Sequence, residues 1–118
     1  MDIRQITPRY SVSPQISVED LAAIKAAGFA RVICNRPDEE IPPSHHAAVL
    51  QVAAQEQGLD FMVLPLTHQT MTPDNIAVQM QMVEDADGPV LAYCATGTRC
   101  TVAWSLAQAG KMSADDIL

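Results

Sequence analysis

Short apolar runs alternate along this chain with stretches that carry helix-start and helix-stop signals, and that alternation leaves few folds open. Residues 9–12 read as a short opening strand. Ser17, with Asp20 three residues on, makes a capping-box pattern; the helix it opens continues through Leu21, Ile24 and Lys25, and Gly28 stops it. Residues 30–35, Ala-Arg-Val-Ile-Cys-Asn, form a compact apolar strand that leaves through the loop Arg36-Pro37-Asp38. Pro42-Pro43-Ser44 leads into a helix from His45 to Gln57, closed by Gly58. Residues 61–65 are the next strand, followed by a polar loop over residues 66–71. Thr72-Pro73 is an N-cap with proline at the first helical position, and that helix runs to Glu84. Residues 85–88 turn the chain into the last strand, 89–93. A helix over residues 99–109 follows, with Gly110 as its stop and Ser113 as the cap of one more helix.

Strands separated by helices of about three turns predict a mostly parallel sheet covered on both faces, an α/β three-layer sandwich. The 118 residues fit one domain, 1–118, with enough chain for a core. Ligands of such sheets sit at the carboxyl ends of the strands. The Cys94 loop, the loop over residues 35–38 and the loop over residues 66–71 all fall at that edge. The sequence also ends soon after its last full helix, which fits a fused or neighbouring hydrolase domain.

The net charge of −7 argues against a nucleic-acid partner. It leaves room for a small anionic substrate, because a local cradle of N–H groups and one arginine overrides the overall field. No secretory signal and no membrane-length apolar run stands in the sequence, so a cytoplasmic location is expected. The three cysteines, Cys34, Cys94 and Cys100, lack framework spacing and read as reduced thiols. No His/Cys set has metal-site spacing, His45 and His46 read as a solvated helix start, and no cofactor is implied.

The chemistry concentrates in Cys94-Ala95-Thr96-Gly97-Thr98-Arg99. The cysteine ends a strand and stands before a helix whose unpaired N–H groups and positive dipole end lower a thiol's pKa. Gly97 lets the backbone of Ala95, Thr96 and Thr98 turn its N–H groups inward. Arg99 supplies a bidentate fork for two oxygens of an anion. A nucleophile beside an oxyanion site is the arrangement that covalent transfer needs. Cys34, inside an apolar strand, reads as core. Cys100 begins the last helix and faces either the loop or the sheet; facing the loop, it is placed to pair with Cys94 as a disulfide. Arg36 either adds positive charge to the substrate site or pairs with Asp38 or Glu39 at the surface.

Three stretches carry a resemblance: residues 10–16 (YSVSPQI), 27–38 (AGFARVICNRPD) and 88–99 (GPVLAYCATGTR). The chain resembles the phosphatase-like domain of beta-lactamase-hydrolase-like proteins, a bacterial branch of the cysteine-phosphatase superfamily. The resemblance implies a dual-specificity-phosphatase-like fold, a covalent intermediate on Cys94, and Arg99 as the oxyanion clamp. The sequence departs from the superfamily pattern in three places. Four residues separate Cys94 from Arg99 where dual-specificity phosphatases have five, a loop length similar to that of rhodanese-type sulfurtransferases. The general-acid aspartate of the Pro-x-x-Asp pattern is replaced by His68, in Pro65-Leu66-Thr67-His68. Cys100 stands where a hydroxyl residue usually follows the arginine, with Thr98 and Thr101 as the nearby hydroxyls. The leading expectation is a phosphatase-like hydrolase with His68 as acid, acting on a phosphate ester. The alternatives are a sulfurtransferase that carries a Cys94 persulfide from a sulfane sulfur donor, and a non-catalytic anion-binding or redox module.

Overall fold

The computed structural model describes residues 2–117, with side chains placed for residues 2–109. Five strands form one sheet: β1 (Arg4–Thr7), β2 (Tyr10–Ser13), β3 (Arg31–Cys34), β4 (Asp60–Val63) and β5 (Val90–Tyr93). Four helices connect and flank them: α1 (Leu21–Ala26), α2 (Ala47–Glu56), α3 (Pro73–Glu84) and α4 (Thr98–Ile117). The strand order is β1-β2-β5-β3-β4. β2, β5, β3 and β4 run parallel, and β1 lies antiparallel to β2. The sheet is mixed and mostly parallel, as the alternation predicts, and its central strand is β5.

Because a strand's side chains alternate between faces, β3 and β5 each feed two cores. Val32, Cys34, Leu91 and Tyr93 pack with Leu21, Ile24, Leu50 and Ala54 from α1 and α2. Ile33, Val90, Ala92 and Cys94 pack with Tyr10, Val12, Val83 and Cys100, and Trp104 of α4 packs against that cluster. Two buried layers on the two faces of one sheet are the observed form of the three-layer sandwich. α2 buries Ala47, Leu50 and Ala54, and α3 buries Ile76, Met80 and Val83, both at the spacing of one helical face.

The expected capping box at Ser17 is present: Asp20 Oδ2 accepts from Ser17 N at 2.9 Å. Thr72 caps α3, its hydroxyl accepting from Asn75 N. Three differences stand out. The edge strand β1 escapes the sequence reading, because Arg4, Gln5 and Thr7 interrupt any apolar signal. Short 3-10 turns precede α1 and α2, so α2 starts at Ala47 rather than His45. Gly110 does not end the last helix and Ser113 does not cap a new one: α4 runs unbroken to Ile117. A helical glycine costs only about 1 kcal/mol relative to alanine, and the residues after it are mostly ordinary helix formers. Among the described residues no helix is long and apolar enough to cross a membrane.

Candidate active site

The central strand β5 ends at Tyr93, and Cys94 stands one residue beyond it at the carboxyl edge. α4 begins at Thr98, so the whole turn between strand and helix is 94–97. Gly97 has φ +90°, a conformation that side-chain-bearing residues rarely adopt. A Cβ there would also stand 3.0 Å from an Arg4 guanidinium nitrogen.

The loop's carbonyls are tied outward. Gln15 N donates to Ala95 O at 3.3 Å, and Arg4 Nη2 donates to Thr96 O at 3.0 Å. In a trans peptide the next N–H points opposite to the carbonyl. Fixing Ala95 O and Thr96 O outward therefore aims the N–H groups of Thr96 and Gly97 inward. Gly97 N donates to Cys94 Sγ at 3.2 Å. The turn thus gathers donors around one sulfur.

Cys94 is 1% exposed, yet it borders a cavity of about 640 Å³. Its thiol pKa is held down at about 5. The neighbouring Cys100 thiol contributes most, burial opposes it, and the backbone N–H groups of Cys100, Thr96 and Arg99 add to the lowering. Near neutral pH the group is a thiolate, the form that acts as a nucleophile. Cys34 behaves oppositely: burial pushes its thiol up. Cys100 is pushed up further, also by burial first. All three cysteines are free.

The cavity is lined by Cys94, Ala95, Thr96, Thr98 and Arg99, and also by His68 and Thr67 from the loop after β4. The six-residue loop and His68 thus come together as the sequence anticipates. His68 is exposed at the rim. Glu40, Met71 and Val102 complete the wall and were not foreseen. Glu40 matters most: its Oε1 accepts from Arg99 Nη2 at 2.7 Å, and that bond holds the carboxyl below its ordinary value. Arg99 Nη1 donates to Leu66 O at 3.3 Å. Arg99 Nε makes no hydrogen bond among the described residues. The guanidinium is fixed from two sides and retains donors for an anion.

Arg36 and Asp38 lie outside this cavity and line a neighbouring depression. Arg36 pairs with Glu40 (Nε to Oε1 3.4 Å) and donates to Gln15 Oε1 at 3.2 Å, rather than pairing with Asp38 or Glu39. It therefore supports the glutamate that holds Arg99. Asp38 Oδ1 accepts from Ala47 N at 2.9 Å and so serves the start of α2. Cys100 faces the sheet side: its thiol donates to Asn35 Oδ1 at 3.1 Å. Among the described residues no group of three or more His, Cys, Asp or Glu could hold a metal ion.

Asn35 and Gln79, both fully buried, are the second feature that sequence reading missed. Asn35 Nδ2 donates to Gln79 Oε1 at 3.0 Å, and Gln79 Nε2 donates to Asn35 Oδ1 at 2.8 Å. The signal was legible in hindsight: Gln79 interrupts the apolar face made by Ile76, Met80 and Val83.

Comparison with known proteins places the chain in a family and matches its fold. A family model described as "Beta-lactamase hydrolase-like protein, phosphatase-like domain" matches residues 2–111. A beta-lactamase hydrolase-like protein of Agrobacterium fabrum is 31% identical over 115 residues, covering 96% of this chain. The chain spans 27% of that relative's length. The crystal structure of a candidate phosphatase from Neisseria meningitidis superposes with a TM-score of 0.85 at 31% identity, over 94% of this chain and 79% of the other. A Shewanella putrefaciens structure gives 0.75 at 20% identity, over 94% of this chain and 69% of the other, and shares the fold.

Proposed function

The chain belongs to the family of phosphatase-like domains of beta-lactamase hydrolase-like proteins, and on that premise we propose that it hydrolyses phosphate monoesters through a covalent intermediate on Cys94. The observation that carries this reading is the acidic Cys94 thiol at the cavity wall, ringed by loop N–H groups and flanked by Arg99.

Cys94 Sγ attacks phosphorus, and the bond from phosphorus to the ester oxygen breaks. The oxyanions of the transferring group are held by the N–H groups of Thr96, Gly97 and Thr98 and by Arg99. Ala95 and Gly97 shape the turn. The leaving oxygen takes its proton from His68, the titratable group at the rim, or from water when the leaving group is a good one. Water then attacks the phosphocysteine, releases inorganic phosphate and restores the thiolate. Within a longer protein, the domain serves beside a hydrolase domain.

The test uses two substrates and one variant. An aryl phosphate should be hydrolysed slowly and an alkyl phosphate poorly. His68→Ala should lower the rate on poor leaving groups far more than on good ones. Equal loss on both, or none, removes His68 from the acid role. A second reading, sulfur transfer, is favoured by one observation, the four residues between Cys94 and Arg99. Thiosulfate is its probe. A Cys94 persulfide formed without aryl phosphate hydrolysis would select that reading.

A further inference from the structure

The carbonyls of the turn beneath the anion site are held in different ways. Ala95 O accepts from the backbone of Gln15 at 3.3 Å. Gly97 O accepts from Thr101 N at 3.1 Å and from the Thr101 hydroxyl at 3.0 Å, inside the first turn of α4. Thr96 O has a side chain for its partner: Arg4 Nη2 donates to it at 3.0 Å from 92 residues away. Among the described residues this is the one side-chain hydrogen bond of Arg4, and Arg4 joins no ion pair there.

The Thr96–Gly97 peptide is the sensitive plane of the turn. Its N–H donates to Cys94 Sγ at 3.2 Å. A peptide plane is rigid, so turning its carbonyl turns its N–H with it. Gly97, at φ +90°, is the hinge on one side, and glycine reaches the opposite sign of φ about as readily. Turned over, the plane would aim Thr96 O at the sulfur and at an anion's oxygens, acceptor against acceptor, with its N–H facing away. Arg4 opposes that turn from outside. Its guanidinium also covers the glycine: a Cβ there would stand 3.0 Å from Arg4 Nη2 and 3.5 Å from the carbonyl of Ser13. The edge strand puts Arg4 in place. β1 pairs antiparallel with β2 so that Arg4 lies opposite Val12, next to Ser13, whose carbonyl accepts from Cys94 N at 3.4 Å. Arg4 does not line the cavity, so it reaches an anion only through the loop.

We propose that Arg4 is a positioning residue of the anion site: by holding Thr96 O outward it keeps the Gly97 N–H, at the other end of the same peptide plane, aimed at Cys94 and its substrate. The edge strand β1 is then part of the machinery of the loop. The proposal rests on the reading of residues 94–99 as an oxyanion site.

The test titrates wild type and variants with inorganic phosphate in a calorimeter and follows aryl phosphate hydrolysis beside it. Arg4→Ala should weaken phosphate binding and lower kcat/KM, each by about tenfold, the worth of one charge-assisted hydrogen bond. Its melting temperature should stay close to that of the wild type, because the side chain is exposed. Arg4→Lys, which keeps a charged donor, should retain most of both. Guanidinium ion at about 50 mM, far below denaturing concentrations, should restore Arg4→Ala and leave the wild type unchanged. The ratio of wild type to Arg4→Ala should persist in about 0.5 M potassium chloride, which screens a charge acting through solvent. Gln5→Ala, on the same strand, should behave as wild type. A folded Arg4→Ala that binds phosphate as tightly as the wild type overturns the proposal. A ratio that vanishes in salt overturns it too, since Arg4 would then act by its field alone. So does an equal loss in Gln5→Ala, which would mean that the loop answers any disturbance of β1. The reading beneath fails differently: a wild type that neither binds phosphate nor hydrolyses the ester removes the oxyanion site, and the role of Arg4 with it.

Discussion

Cys34 ends β3, and Cys94 stands one residue beyond the end of the adjacent parallel strand β5, whose last residue, Tyr93, is in register with Cys34. Both are almost wholly buried, at 0% and 1% exposed. Yet burial pushes one thiol up, while the other is drawn down to about 5. The difference lies in what the chain does next. After Cys34 it passes Pro37 into a short 3-10 turn, and the hydrogen-bonding neighbour of the sulfur is Arg36 O at 3.4 Å, an acceptor. After Cys94 it turns at Gly97 and starts a helix, and the neighbours of the sulfur are the Cys100 thiol and backbone N–H donors. At Cys34 burial dominates and disfavours the charged form, whereas at Cys94 hydrogen bonds to the sulfur outweigh burial and stabilise the thiolate. Exposure alone does not distinguish a structural cysteine from a reactive one; the hydrogen-bonding neighbours of the sulfur do.

The contrast is sharpest in turnover. Cys94→Ser should lower hydrolysis of an aryl phosphate by at least about a thousandfold, because no base stands ready to deprotonate a hydroxyl there. In the wild type, kcat/KM should fall about tenfold per pH unit below about pH 5, where Cys94 gains its proton, and show no thiol-linked rise above it. Arg99→Lys keeps the charge but loses the fork, and should cost about a hundredfold in kcat with the fold intact. Glu40→Gln comes next. It retains an acceptor for Arg99 and removes the competing negative charge, so sulfate should inhibit a few-fold more tightly, by roughly the gain of one charge-assisted contact at a half-exposed site. Calorimetry that finds sulfate bound more weakly would mean that the charge of Glu40 is needed to hold Arg99 in place. The smallest effect on rate belongs to Cys34→Ser: turnover within about twofold of wild type, and stability lower by about 1–3 kcal/mol from a buried hydroxyl. A large loss of rate there would erase the distinction between the two cysteines.

Much of this was legible in the chain itself. Short apolar runs between helix signals, with caps at Ser17 and Thr72, located four strands and the layering, and the order strand, Cys94, Gly97, Arg99, helix located the loop. β1 was not legible because an edge strand exposed to water needs no apolar face. Glu40 was not legible because its partner Arg99 lies 59 residues away, and only the sheet order β5-β3 brings them together. Gln79 left a trace, a polar residue on a buried face, but its partner Asn35 is again set by tertiary contact. Local pattern locates elements and turns; pairings between charged or polar side chains follow from which strands become neighbours.

The most direct measurement is rapid acid quench of the protein during turnover of an aryl phosphate, followed by mass analysis of the peptide bearing Cys94. A phosphoryl group on Cys94, absent in Cys94→Ser and lost once the substrate is exhausted, is the expected result. Steady hydrolysis with no adduct on Cys94, or with full activity in Cys94→Ser, would contradict the assignment of this sulfur as the nucleophile.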